Sequence, residues 1–107
     1  MPLVDVHSSS DESLMSLVVT RGKDCVSTEI DGETVILNVS TGIYSGADAV
    51  GTFVWGLLEK PVKVTDIYER ILERYDVAAE SCRSDLLKYL RSLADNRLIE
   101  ARDTESA

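Results

Sequence analysis

A change of hydrophobic period near residue 48 constrains this chain more than any other feature. Before that point, two β-rich runs at 25–30 and 33–39 flank Asp31-Gly32. An Asp-Gly pair in that place is typical of a two-residue hairpin turn, because both central positions of such a turn need positive φ. A third short run begins at Ile43. After residue 48, apolar residues recur every three to four positions, which indicates helices.

Three helices are predicted in the second half of the chain. The first ends before Pro61, because proline disfavours helical geometry in the preceding residue. The second has Thr65 as its expected N-cap, and the third spans about 79–96 with Asn96 as its C-terminal stop. The pattern predicts an α+β fold, a winged helix-turn-helix with a three-stranded antiparallel sheet followed by three helices.

The two ends of the chain lack this periodicity. We expect residues 1–16 to form a flexible N-terminal segment, residues 17–101 to form one domain and residues 102–107 to form a flexible tail. No stretch approaches the roughly 20 apolar residues of a membrane-spanning helix. The N-terminus also lacks the basic and apolar regions of a secretion signal. We therefore expect a cytoplasmic protein.

The charge is distributed unevenly. The formal net charge is −8, and residues 1–59 carry nine Asp or Glu against two Lys or Arg, a net of −7. Residues 60–102 are nearly balanced, with nine bases and eight acids. Because neutralisation of phosphates supplies most of the affinity of nucleic-acid binders, this charge argues against a nucleic-acid partner. It argues equally against an anionic membrane surface.

The residues that catalysis needs are sparse. The chain has no GxSxG, HExxH or P-loop motif, and its one histidine, His7, lies in the predicted flexible segment. Cys25 and Cys82 are far apart and outside any CxxC pair, so we expect two free thiols. We expect no enzymatic activity, no catalytic residues, no metal site and no cofactor.

The third predicted strand, residues 43–47, is a candidate binding edge. It lacks the charges and prolines that normally protect the edge of a sheet. An extended peptide could therefore add to it as a further strand. The alternatives are that residues 13–20 cover this edge or that a second copy of the chain does.

The third predicted helix offers a second surface. Leu87 lies beside the core stripe, with Arg83, Lys88 and Arg91 around it. These residues could form a groove with the strand, apolar at its base and basic at its rim, that suits an acidic peptide. The alternative is that Leu87 widens the core and that the bases are solvated partners of nearby acids.

An ordered set of short motifs runs through most of the chain. The set consists of VILNVSTGIY at 35–44, GTFVWGLL at 51–58, TDIY at 65–68, YDV at 75–77, DLLKYL at 85–90 and RLI at 97–99. Over residues 25–100 this set resembles the PqqD-like family, whose members are the recognition elements for precursors of ribosomally made, modified peptides (RiPPs). Members of that family often have Leu-Asn where this chain has Ala47-Asp48.

The resemblance implies a winged helix-turn-helix that binds the leader of a precursor peptide without catalysis. The leader adds as an antiparallel strand beside the third strand and lies along the third helix. Carried over to this sequence, the peptide-binding residues are Ile43, Tyr44, Ser45, Gly46, Ala47, Arg83, Leu87, Lys88 and Arg91. The implied partners are the leader region of a precursor and a separate leader peptidase, cyclase or radical maturation enzyme.

Four functions stay open on the sequence. The first is an adaptor that presents a leader to maturation enzymes in a lasso-peptide or similar RiPP pathway. The second is a PqqD-type peptide chaperone in pyrroloquinoline quinone biosynthesis. The third is a winged-helix DNA-binding regulator, which would need a basic face and a steep salt dependence. The fourth is a dimerisation module that uses the same strand edge.

Overall fold

The chain forms two three-stranded antiparallel sheets and four helices in a computed structural model that describes residues 5–6 and 9–103. The elements in chain order are α1 (Asp11–Met15), β1 (Leu17–Arg21), β2 (Cys25–Ile30), β3 (Glu33–Asn38), β4 (Tyr44–Ala47), α2 (Ala49–Leu57), β5 (Val62–Lys63), α3 (Val64–Arg74), α4 (Ala79–Asp95) and β6 (Ile99–Asp103). Among these helices, none is both long and apolar enough to cross a membrane.

The predicted three-stranded meander is present as the sheet β2-β3-β4. Asp31 and Gly32 connect β2 to β3 with φ of 54° and 82°, which is the pair of positive φ angles that the Asp-Gly sequence predicts. β3 pairs antiparallel with β2 on one side and with β4 on the other. β2 and β4 are therefore the two edges of this sheet.

A second sheet departs from the predicted order of three strands followed by three helices. β1 lies between β5 and β6 and pairs antiparallel with both. Sequence periodicity missed this sheet because β5 has two residues and β6 follows the last helix, so its pairings join distant parts of the chain. Residues 13–15 belong to α1 and residues 17–20 pair in this second sheet, so the alternative that residues 13–20 cover the edge of β4 is wrong.

Part of the segment that we expected to be flexible is helical. Ser10 caps α1 by accepting a hydrogen bond from the Ser13 N–H, and Leu14 is fully buried. The remainder of that segment at residues 1–4 and 7–8, which includes His7, lies outside the described residues.

The predicted C-terminal tail is partly a strand. β6 extends through Asp103, so residues 102 and 103 pair with β1. Residues 104–107 lie outside the described part of the chain.

Helices α2, α3 and α4 occur where the hydrophobic period predicts them. Asp48 caps α2, since its carboxylate accepts a hydrogen bond from the Gly51 N–H at 2.9 Å. The predicted N-cap at Thr65 is wrong. Strand β5 leads directly into α3, which therefore begins at Val64, two residues earlier than predicted, with Lys63 at the N-cap and no side-chain cap.

The core lies where the helices meet β1 and β3. Its largest fully buried side chains are Leu14, Val19, Ile36, Val54, Leu58, Val64, Ile67, Leu87, Leu90, Leu93 and Leu98. Burial of each such side chain is worth about 1.5–3 kcal/mol relative to exposure. The core thus draws on all four helices and fixes α4 relative to the sheet β2-β3-β4.

Asn38 joins β3 to the loop after α4. Its Nδ2 donates to the Arg97 carbonyl at 2.8 Å, and its Oδ1 accepts from the N–H groups of Ser40 and Thr41 at 2.9 and 3.1 Å. We expect Asn38→Ala to lower the free energy of unfolding by about 2–3 kcal/mol, because three backbone groups lose their partner. Urea unfolding measures the change, with Ser40→Ala as the exposed control. A loss below about 0.5 kcal/mol would show that water replaces these bonds without cost.

Candidate functional site

β4 has an unpaired side among the described residues. The Asn38 N–H donates to the Ile43 carbonyl at 2.9 Å, and bonded and non-bonded pairs alternate along an antiparallel ladder. The residues that bond to β3 are therefore Ile43, Ser45 and Ala47. The N–H and C=O groups of Tyr44 and Gly46 point away from the sheet. This edge can pair with another extended chain.

The opposite edge of the sheet, on β2, lies beside a different and smaller groove. The Val39 N–H donates to the Asp24 carbonyl at 3.0 Å, so by the same alternation Ser27 and Glu29 direct their backbone groups outward. This edge borders a groove of about 250 Å³, and the Ser27 hydroxyl already accepts a hydrogen bond from Trp55 Nε1. A variant of the β2 edge can therefore serve as a control for a variant of the β4 edge.

A larger groove of about 550 Å³ begins where β4 ends. Its walls are the β4–α2 junction, the end of α3 with the loop that follows, and one face of α4. The lining residues are Gly46, Ala47, Asp48, Val50, Gly51, Val54, Ile71, Tyr75, Val77, Ser81, Cys82, Asp85, Leu86 and Tyr89. Val50 and Val77 are 38% and 44% exposed and offer apolar contact to a bound chain. An apolar groove beside a free strand edge fits an extended peptide.

Gly51 allows the two walls of the groove to approach each other. A Cβ at this position would lie 3.0 Å from the Tyr89 hydroxyl oxygen and 3.0 Å from the Ala47 Cβ. Only glycine therefore permits this approach of α2 to α4 without displacement. The Gly51-Thr-Phe-Val-Trp55 motif in the sequence thus has a packing reason for its first residue.

The structure keeps the strand half of the predicted site together. Tyr44, Ser45, Gly46 and Ala47 form β4 and Ile43 immediately precedes it. Gly46 and Ala47 line the groove, whereas the Tyr44 side chain is 72% exposed.

The helix half of the predicted site lies on other faces of α4. Leu87 is 1% exposed, so its side chain belongs to the core, as the alternative interpretation had it. Arg91 pairs with the Asp11 carboxylate at 2.9 Å and donates to the Ser9 carbonyl at 3.0 Å, which fixes the start of α1. Arg83 and Lys88 are not among the lining residues, and Lys88 is exposed.

The groove-facing positions of α4 are ones that sequence reasoning missed. They are Ser81, Cys82, Asp85, Leu86 and Tyr89. Ser81, Asp85 and Tyr89 recur every four residues and so share one side of the helix. That spacing is present in the sequence, but the prediction instead chose the neighbouring face because of its basic residues. The lining therefore carries acids where a basic rim was predicted.

The two cysteines are free. Burial, and to a smaller extent Asp85, raises the pKa of Cys82, so this groove residue is a neutral thiol near neutral pH. Burial likewise raises the pKa of Cys25. Within the described ranges, no cluster of three or more His, Cys, Asp or Glu could hold a metal ion.

Tyr89 is the second neutral group of the groove. Its hydroxyl is buried and has no hydrogen-bond partner among the described residues. Burial, and secondarily the Asp48 carboxylate, raises the pKa of Tyr89 from 10.0 to about 12. The Tyr89 hydroxyl thus stays protonated at the near-neutral pH at which we expect peptides to bind.

This raised pKa makes a prediction about stability at high pH. The unfolded chain ionises Tyr89 near its ordinary pKa and the folded chain does not, so its contribution to stability is lost as pH rises from 10.0 towards about 12. We expect the stability of the wild type to fall relative to Tyr89→Phe over this window, and the two to be similar at pH 8. Urea unfolding of both proteins at three pH values measures this. An unchanged difference would contradict the raised pKa.

Known proteins resemble the part of the chain that contains this groove. The family model described as coenzyme PQQ synthesis protein D (PqqD) matches residues 33–99, which run from β3 to the start of β6. A solved structure described as TbiB1 in complex with the TbiA(beta) leader peptide is 38% identical with a TM-score of 0.70. The similarity covers 75% of this chain and 93% of that chain. Curated proteins give no match.

Proposed function

This chain belongs to the PqqD family, and from that membership we propose that it is a non-catalytic adaptor for the leader of a ribosomally made precursor peptide. It captures the leader by strand addition and presents it to maturation enzymes. The observation that carries this function is the unpaired edge of β4 beside the 550 Å³ groove. The solved relative supports it, because that protein is described in complex with a leader peptide.

The leader strand runs antiparallel to β4 in this proposal. The backbone groups of Tyr44 and Gly46 pair with it, and alternate leader side chains enter the groove. Apolar leader side chains contact Val50 and Val77, which are exposed in the free chain. On α4 the contacts come from the face that contains Asp85.

We propose that the peptide-recognition domain contains the predicted residues 17–101, together with the packed α1 and the end of β6, and that α3 and α4, with β2-β3-β4 beside them, form a winged helix-turn-helix. The short connection between α3 and α4 supports this arrangement. We also propose a cytoplasmic location, which two free thiols support.

Two pathways remain candidates within the family. A lasso-peptide or similar RiPP pathway is favoured by the 38% identity to a protein described with a bound leader. The pyrroloquinoline quinone pathway is favoured by the description of the matching family model. In either pathway the partner is a maturation enzyme, namely a leader peptidase, a cyclase or a radical enzyme.

A DNA-binding role has less support. Arg91 of α4 is engaged by Asp11 and Ser9, and the net charge of the chain is −8. Both features weaken the basic face that such a regulator needs.

Direct titration tests the adaptor function. The full chain is titrated with a fluorescently labelled synthetic leader of the precursor encoded beside it, with a scrambled leader as control. We expect saturable binding of the leader and none of the scrambled peptide. Absence of binding at tens of micromolar, with a sample folded by circular dichroism, would overturn the proposal.

A further inference from the structure

We infer that the groove beside β4 selects leaders that carry a basic side chain close to an apolar one. This inference rests on the proposed function and adds the chemistry of the bound peptide. Asp48 and Asp85 are the acidic side chains that line the groove, and no Lys or Arg lines it among the described residues. An acidic leader, which a basic rim would have favoured, is therefore disfavoured here.

The two carboxylates occupy opposite walls. Asp48 lies at the start of α2, and the Gly51 N–H holds its carboxylate in place at 2.9 Å. Asp85 lies on α4, is exposed, and forms no ion pair within the described part of the chain. A cationic side chain that enters the groove thus meets one fixed and one unpaired carboxylate.

Within the described residues, no neighbouring base forms an ion pair with Asp48 or Asp85. Tyr89 carries no charge below its high pKa and adds none to the groove. Arg74 is the last residue of α3, and its guanidinium lies over the rings of Phe53 and Tyr75, at 4.9 and 5.8 Å from their centroids. Arg91 is paired with Asp11. The net charge of −8 on the whole chain acts in the same direction, because it attracts cationic peptides over longer distances.

The geometry of an added strand specifies the spacing within the leader. Successive side chains of a strand point to opposite faces, so residues that enter the groove are two positions apart. One of them contacts the apolar wall at Val50 and Val77, and its neighbour on the same face reaches the carboxylates. The preferred leader segment therefore has an apolar and a basic residue separated by one residue.

A positional peptide series tests this inference with the full-length chain. Each position of the synthetic leader is replaced in turn by Lys, Ala or Glu, and affinities are measured by fluorescence anisotropy. The proteins are the wild type, Asp85→Asn, Asp85→Lys and the control Glu80→Gln. Glu80 is an exposed acid of α4 outside the groove lining, so it matches Asp85 in charge and helix.

We expect at least one position at which Lys binds about fivefold more tightly than Glu, since partly exposed charge pairs contribute modestly to affinity. Asp85→Asn should reduce this preference, Asp85→Lys should reverse it, and Glu80→Gln should leave it unchanged. The preference should also shrink between low and high salt. Leader binding without any charge preference, or with a preference that Asp85→Lys does not alter, overturns the inference alone. Failure of every peptide to bind overturns it together with the adaptor function.

Discussion

Tyr44→Pro should abolish most leader binding while the protein remains folded. The Tyr44 N–H points away from β3, so proline removes a donor that the native sheet does not use. A bound leader loses that hydrogen bond and retains an unsatisfied carbonyl. We expect an affinity loss of about 10- to 100-fold, which corresponds to about 1.4–2.8 kcal/mol. Fluorescence anisotropy with the labelled leader measures it, and circular dichroism verifies the fold.

Two further variants make this prediction specific to the β4 backbone. Tyr44→Ala keeps the N–H and removes a side chain that is 72% exposed, so it separates the loss of the ring from the loss of the donor. Glu29→Pro removes an outward N–H from the β2 edge of the same sheet and should leave affinity unchanged. If folded Tyr44→Pro protein binds the leader like the wild type, the leader does not add as a strand at β4. If Glu29→Pro reduces affinity as strongly, the wrong edge has been assigned.

The meander could be predicted because its determinants are local. Asp31-Gly32 supplies two adjacent positive φ angles, and the runs on either side are short and rich in β-branched residues. The helices α2, α3 and α4 could also be predicted, because their apolar residues recur at a helical period. The edge position of β4 also followed from these elements, because β4 is the last strand of the predicted three-stranded meander.

The orientation of β3 could not be predicted from hydrophobicity. Thr34 and Asn38 are buried, whereas Val35 and Val39 on the opposite face are exposed. The buried polar side chains are stable there because distant residues satisfy them. The Thr34 hydroxyl donates to Thr52 at 2.9 Å, and Asn38 donates to the Arg97 carbonyl. Such partners come from tertiary structure, which the alternation of residues along one strand does not encode.

The contact face of α4 was missed for a related reason. An apolar residue beside a core stripe either extends the core or lies on a binding surface. Which of the two occurs depends on the elements that pack against that side of the helix. Here α1, in a segment that we expected to be flexible, packs on α4 and provides Asp11 for Arg91. This contact assigns Arg91 of the predicted basic face to intramolecular packing. The groove is left with Asp85 and its neighbours on another face.

Leu87→Ala should therefore destabilise the fold strongly without a specific loss of leader affinity. The Leu87 side chain is 1% exposed, and truncation of a fully buried leucine costs about 2–5 kcal/mol through lost burial and the cavity that remains. Urea unfolding at 25 °C measures the stability, and anisotropy at low temperature measures the affinity of the folded fraction. Should Leu87→Ala not fold, Leu87→Met keeps most of the volume, and its stability cost should stay below about 1.5 kcal/mol with unchanged affinity.

Val77→Ala is the matched variant with the opposite expectation. Val77 is 44% exposed and lines the groove, so its truncation should change the free energy of unfolding by less than about 0.5 kcal/mol. Its loss of apolar contact should weaken leader binding by several-fold, at about 0.8 kcal/mol per buried methylene. Leu87→Ala should thus lower stability without a specific loss of affinity, whereas Val77→Ala should lower affinity with little loss of stability. If Leu87→Met weakens binding and Val77→Ala does not, the leader lies on the originally predicted face of α4 and not in the groove beside β4.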